Sequence, residues 1–251
     1  MDMEAMGSAT AMTGWRIYWK SATGSTNVDA REGTHGDVYV ADFQTSGRGR
    51  LDHRWLAPAG VNLTFSAVLD VSGLPPEEVA TMPLVAGLAV VRTVSHILEG
   101  CPARLTVKWP NDVLVDGRKL AGILCERNGD SAIIGIGVNV NQTSFPPEIS
   151  DKAISLAAVM GRRFERDEVL EWMLDELSNL YLLWRKDGFT ALCADISGFD
   201  HLRGRMVSVL QTDTDPRPVT GLCGGIQSDG TLLVGTTRIY AGEAHVMQYV
   251  P

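Results

Sequence analysis

The sequence has only four cysteines, Cys101, Cys125, Cys193 and Cys223, and no two of them form a C-x-x-C pair. Isolated thiols of this kind behave as small hydrophobes in a reducing compartment, which argues against a disulfide framework or a cysteine-held metal. Histidine is equally sparse: His35, His53, His96, His201 and His245 show no metal-ligand spacing. Positive charge is in deficit, with 22 Lys and Arg against 30 Asp and Glu and a formal net charge of −8. Without a Lys/Arg-rich run, general binding to a phosphate backbone is disfavoured. No stretch approaches the roughly 18 consecutive apolar residues of a membrane-spanning helix. Residues 1–14 carry two acids, no Lys or Arg and no apolar core, so they read as a disordered tail and not an export signal. A cytoplasmic protein with neither membrane nor nucleic acid as a partner is expected.

Familiar catalytic signatures are missing too. A dinucleotide fingerprint, G-x-G-x-x-G, fails twice: Val140 replaces the third glycine after Gly135, and Asp52 replaces it after Gly47. There is no phosphate loop of the G-x-x-x-x-G-K-[ST] type and no G-x-S-x-G nucleophile turn. Hydride transfer, P-loop hydrolysis, serine hydrolysis and zinc chemistry all lose support.

What is present is a chain of 251 residues, 45% hydrophobic, long enough for one large domain and a small one. Trp15–Trp19, Val38–Phe43, Val61–Leu69 and Ser131–Val140 read as strands, and Ser25–Glu32 as a short helix. Met82–Glu99 is a nearly all-apolar helix, and Asp167–Lys186 repeats its apolar residues at helical spacing over five turns. Two apolar runs, Val107–Val115 and Lys119–Cys125, meet at Asp116-Gly117, a hairpin signal. After Gly198 the texture changes. Short runs at Met206–Leu210, Val219–Ile226, Thr231–Gly235 and Ala244–Tyr249 suggest a small β-barrel.

Three clusters carry chemistry. The connection Gln44–Gly60 holds Ser46-Gly47-Arg48-Gly49-Arg50-Leu51-Asp52-His53-Arg54-Trp55, with three arginines beside two glycines. Glycine lets a backbone approach a ligand, and arginine offers a fork of donors matched to phosphate or carboxylate. The same segment also reads as a solvated surface loop. Lys108-Trp109-Pro110-Asn111-Asp112 joins a cation, a flat aromatic and a carboxylate, and equally suits a turn with a packed Trp and a surface ion pair. Gly117-Arg118-Lys119-Leu120-Ala121-Gly122-Ile123 starts a strand with a lysine among small residues, which alone reads as a solvated charge.

Taken in order, these segments resemble the biotin–protein ligase family. The matching parts also include Ser25-Thr26-Asn27, Gln44-Thr45, Arg54-Trp55 and Gly135-Ile136-Gly137-Val138-Asn139-Val140, and the resemblance spans residues 15 to 250. It implies a mixed α+β fold: a catalytic domain of the kind shared with class II aminoacyl-tRNA synthetases over 15–203, and an SH3-like C-terminal barrel over 204–251. It also implies that biotin and Mg-ATP form biotinyl-5′-adenylate, whose biotinyl group passes to one lysine of a biotin carboxyl carrier domain.

The roles implied by the resemblance are specific. Ser25, Thr26, Asn27 and Gln44 would meet the ureido ring and carboxyl region of biotin. Gly122 and Gly137 would leave room for the bicyclic ring, and Gly47 and Gly49 would let the loop fold over the ligand. Arg48 and Arg50 would hold the carboxylate and α-phosphate. Trp55 would face adenine and Asn139 its edge, with Arg54, Lys108 and Asn111 also on the nucleotide side. Lys119 would neutralise developing charge. Asp112 would orient or deprotonate the incoming lysine amine, whose ordinary pKa of about 10.4 keeps it protonated. The metal ligands and the choice between monomer and homodimer stay open.

Two departures accompany the resemblance. Many relatives carry an N-terminal DNA-binding module; only about 14 weak residues precede Trp15, so operator binding is expected to be absent. Gly242-Glu243 matches a family pair, but Met247 stands where some relatives have a basic residue, which leaves the barrel's part in ATP binding open. Lipoate ligases share the chemistry, but the G-R-G-R and K-W-P-N-D segments favour biotin. A non-catalytic biotin sensor would be expected to lose Lys119 or the arginine pair, and all three are present.

Overall fold

A computed structural model describes residues 14–51, 53–211 and 217–247. The expected tail, except Gly14, lies outside these residues, as does the end of the Ala244–Tyr249 run.

Seven strands form the main sheet: β1 (Arg16–Lys20), β2 (Asp37–Ala41), β3 (Leu63–Asp70), β4 (Leu105–Lys108), β5 (Asp112–Val115), β6 (Arg118–Asn128) and β7 (Ser131–Val138). Their order is β1-β2-β3-β7-β6-β5-β4, parallel only between β1 and β2. The strands read from sequence are therefore all present. The apolar run Val107–Val115 divides into β4 and β5, reversing through Trp109-Pro110-Asn111, a turn that carries a packed Trp as its composition suits. The Asp116-Gly117 turn is as expected: both residues have positive φ (49° and 77°), the geometry that matches strand twist in a two-residue hairpin.

The sheet separates two layers. On one face lie α3 (Met82–Ile97), which follows the short α1 (Thr26–Asp29) and α2 (Pro76–Val79) in the chain, and α5 (Arg166–Asp187), which follows the five-residue α4 (Leu156–Met160). Twelve of the 16 residues of α3 are buried, which is why its sequence is apolar all round. Gly87 brings α3 close to Ile123 and Val107 on the sheet. By length and composition Pro76–Ile97 could cross a membrane, but 72% of its most apolar window is buried, as expected of a core helix. Two buried indoles fix α5: Trp184 Nε1 donates to Thr81 Oγ1 at 2.9 Å, and Trp15 Nε1 to Ser178 Oγ at 2.9 Å. Polar atoms placed this deep stay paired, so the helix has one seat. The other face of the sheet carries α1 and a small cluster of Ala30, Val68 and Ile133.

Beyond α6 (Cys193–Gly198), a second sheet forms from β8 (Met206–Gln211), β9 (Val219–Ile226), β10 (Leu232–Val234), β11 (Thr237–Ile239) and β12 (Gly242–Val246), in the order β11-β10-β9-β8-β12. All pairings are antiparallel. Three residues of β11 between glycine turns gave too short a pattern to read. The sheet is fastened to the first by Trp109 Nε1 donating to Gly230 O (3.0 Å) and by the Ile226 N–H donating to Asp200 Oδ2 (2.8 Å).

Candidate active site

The α1 face of the main sheet holds a cavity of about 230 Å³, closed by segments drawn from both sheets, the α1 end and the 44–60 connection. Its floor exists because β6 and β7 pair Gly122 with Gly137 and Leu124 with Gly135, so three of these four floor residues raise no side chain of their own. One wall is the N-terminus of α1. There Gln44 Oε1 accepts from the Thr26 backbone N–H at 2.7 Å and faces the Thr26 hydroxyl at 3.1 Å. Ser66 on β3 stands 2.8 Å from Thr26 Oγ1 and 2.7 Å from Asn27 Oδ1. Ser25, Thr26, Asn27 and Gln44 thus gather at one end.

The roof is the 44–60 connection, which is folded and not a loose surface loop. Gly49 N–H donates to His53 O (2.8 Å), His53 N–H to Arg50 O (2.9 Å) and Trp55 N–H to Gly47 O (3.1 Å), and Arg48 bridges Arg54 in antiparallel fashion. Gly47 is required here, because a Cβ would collide with Trp55 O and sit 3.0 Å from Gln44 Nε2. It shapes the roof from outside, whereas Gly49 lines the cavity. Arg48 lays Nη1 at 2.9 Å from both Glu126 oxygens. Arg50 is the least exposed of the three arginines and donates to Gly242 O at 3.2 Å. Burial pulls its guanidinium below its ordinary pKa, against the attraction of Asp112 and Glu243. Arg54 is exposed and donates to Thr45 O at 3.3 Å.

The remaining wall comes from the β4–β5 reversal and the start of β6. Lys119 Nζ sits 2.6 Å from Asp112 Oδ1, with Lys108 also lining the space. Asn111 lines it too, but its Nδ2 is committed to Ile123 O at 2.8 Å, bracing the reversal against β6. Glu243 and Ala244 of β12 complete the enclosure from the second sheet.

Two placements alter the picture drawn from sequence. The space above Gly137 and Gly122 holds the Trp55 indole: a Cβ on residue 137 would lie 2.7 Å from Trp55 Cδ2 and Cζ2, and one on 122 would lie 3.4 Å from Cζ3. The Trp55 Nε1 is buried there without a hydrogen-bond partner. Asn139 is off the cavity wall. It is 6% exposed, its Oδ1 accepts from Asn62 at 3.3 Å and its Nδ2 donates to Lys119 O at 3.3 Å, so its carboxamide steadies the strand that carries Lys119. Sequence reading missed Thr64, Ser66 and Glu126. The two hydroxyls on one face of the otherwise apolar strand Leu63–Leu69 were the available signal for the first pair.

Chemically, the cavity joins Arg50 and Lys119, with Arg48, Arg54 and Lys108 at its edges, to the carboxylates of Asp112 and Glu243 and a polar pocket. It suits a ligand with an anionic middle, a compact apolar ring and a polar end. Segments 48–54 and 104–119 hold seven of the 22 basic residues and only three acids, so a cationic patch sits within an acidic protein.

A family model of the biotin/lipoate A/B protein ligases matches residues 15–141. The chain is 37% identical over 182 residues to a biotin–[acetyl-CoA-carboxylase] ligase of Mycobacterium tuberculosis, covering 70% of this chain and 68% of that protein. It is 33% identical over 198 residues to the bifunctional ligase/repressor BirA of Bacillus subtilis, covering 74% of this chain but only 60% of that protein. Among solved structures, biotin protein ligase from Aquifex aeolicus in complex with biotin and ATP superposes with a TM-score of 0.80 at 32% identity, covering 92% of this chain and 98% of that one.

Proposed function

The chain belongs to the biotin/lipoate A/B protein ligase family, and from that premise we propose that it is an ATP-dependent biotin–protein ligase working in two steps. In the first, a biotin carboxylate oxygen attacks the α-phosphorus of Mg-ATP, giving biotinyl-5′-adenylate and pyrophosphate. In the second, the amine of one lysine on a biotin carboxyl carrier domain attacks the acyl carbon and AMP leaves. The observation that carries this reading is the meeting of Arg48, Arg50, Lys119 and Asp112 around one cavity with a glycine floor.

Each residue has a task within it. Arg50, already desolvated, and Arg48 hold the carboxylate and α-phosphate together, cancelling the repulsion between two anions. The ordering required for in-line attack is then set before reaction and not during it. Lys119 faces the charge that grows on the phosphate. Its present partner is Asp112, at 2.6 Å. An anionic acyl-adenylate competes for the Lys119 ammonium, and Asp112 so released accepts a proton from the incoming lysine amine. Ser25, Thr26, Asn27 and Gln44 meet the ureido end of biotin. Mg²⁺ arrives with the nucleotide phosphates; among the described residues no three His, Cys, Asp or Glu side chains gather as a metal cluster. A cytoplasmic setting and a monomeric or homodimeric enzyme belong to the same proposal.

Incubation with Mg-ATP and biotin, lipoate or octanoate, followed by mass analysis of the bound adenylate, tests it. Biotinyl adenylate alone is expected. A lipoyl or octanoyl adenylate, or none, overturns the assignment.

A further inference from the structure

Glu126 lies on β6 two residues beyond Leu124 and four beyond Gly122, so strand alternation puts it on the cavity face of the sheet, just past the cavity's rim. Three side chains from two segments converge on its carboxylate. Arg48 Nη1 lies 2.9 Å from both oxygens, Asn27 Nδ2 lies 2.8 Å from Oε2, and Arg31 Nη2 lies 3.5 Å from Oε1. Its pKa is held below the ordinary carboxylate value by hydrogen bonds from Asn27 and Arg48, which outweigh its burial. It stays an anion at neutral pH.

The consequence for Asn27 is directional. A carboxamide has a donor end and an acceptor end, and rotation by half a turn exchanges them. Here both amide hydrogens are taken, one by Glu126 and one by Leu124 O at 3.2 Å, so Oδ1 is turned to Ser66. Gly135 makes this possible, since a Cβ there would collide with Asn27 Oδ1. An anion beside Asn27 thus fixes an acceptor, and not a donor, at that point of the polar pocket. The same anion holds Arg48, and with it the roof, against the sheet.

We propose that Glu126 is a positioning residue: it ties the closed form of the Arg48 roof to the acceptor orientation of Asn27, so that the two form together. This rests on the ligase reading above, in which the polar pocket receives ureido N–H donors. Glu126 itself touches no substrate.

The test uses the full chain with Glu126→Gln, which keeps the size but removes the charge and adds a donor able to turn Asn27 round. In the ligand-free proteins, tryptic cleavage at Arg48, Arg50 and Arg54 is expected to rise roughly tenfold, about the value of one partly exposed charge-assisted hydrogen bond. The KM for biotin is expected to rise by a similar factor of about ten, with kcat within about twofold, because Glu126 acts before the chemical step. Glu126→Asp, which keeps the charge, is expected to fall between the two and covers the case in which Glu126→Gln fails to fold. Equal cleavage rates and equal KM for a folded Glu126→Gln protein overturn the inference, as does a fall in kcat with KM unchanged. Failure of the wild type to form biotinyl adenylate would sink the ligase reading instead, and the cleavage comparison would still decide whether Glu126 holds the roof.

Discussion

Gly137→Ala separates what the cavity floor does for the protein from what it does for a ligand. Residue 137 does not lie in the left-handed backbone region, so alanine introduces no backbone strain, and only the added methyl matters. Its Cβ would stand 2.7 Å from two atoms of the Trp55 indole. Carbon atoms prefer separations of about 3.5–4.0 Å, so the ring must withdraw by roughly 1 Å. Trp55 belongs to the roof and is only partly buried, so withdrawal is available and the fold should lose about 1 kcal/mol, the low end for overpacking. A ligand ring laid on the same floor has no such freedom, because Lys119 and the α1 wall fix its position. The full overpacking range of about 1–3 kcal/mol then falls on binding, weakening biotin affinity about 5- to 150-fold. Isothermal titration of biotin, with tryptophan fluorescence reporting the indole, measures both effects. If Gly137 serves only the Trp55 seat, evicting the indole leaves affinity unchanged or improves it, and that result would refute the reasoning.

Three further outcomes are expected. Lys119→Ala should leave the thermal midpoint nearly unchanged, because the Lys119–Asp112 pair is partly solvated, yet slow adenylate formation roughly 10- to 150-fold, the loss of one charge-assisted hydrogen bond of about 1.5–3 kcal/mol in the transition state. Wild-type turnover would exclude that role. Arg50→Gly removes a hydrogen bond between roof and β12, so adenylate should escape and label bystander lysines; no excess labelling counts against closure by Arg50. Burial, together with Arg205, Lys108 and Arg104, pulls His201 down to about 4 from its ordinary value of 6.5. Between those values the unfolded chain takes up a proton that the folded one refuses, so His201 costs stability as pH falls through 6.5 towards 4. His201→Gln should therefore flatten the wild-type dependence of thermal midpoint on pH in that window, and parallel curves would disprove it.

The legible parts of this fold were those written in local chemistry. Asp116-Gly117 announced its hairpin because few other pairs tolerate two positive φ values in succession. The apolar spacing of α5 named the residues that face the core, Val169 through Trp184. The resemblance gathered Ser25–Asn27, the G-R-G-R loop, the K-W-P-N-D turn and Lys119 before their proximity was known, and most of these residues line one cavity.

What stayed hidden depended on contacts distant in sequence. Nothing local shows that Arg50 meets Gly242 across 192 positions. Nor does anything local mark Glu126, because Asn27 and Arg48 reach it only after β6 pairs with β7. The net charge of −8 concealed the cationic patch in the same way, since an average over the chain carries no position.

The central claim, that the cavity activates biotin and passes it to a carrier lysine, is met most directly by intact-mass analysis after incubation with biotin, Mg-ATP and a biotin carboxyl carrier domain. A gain of one biotinyl group on a single carrier lysine, dependent on ATP and slowed by Lys119→Ala, is the predicted result. A carrier of unchanged mass in the presence of folded wild-type protein would contradict it.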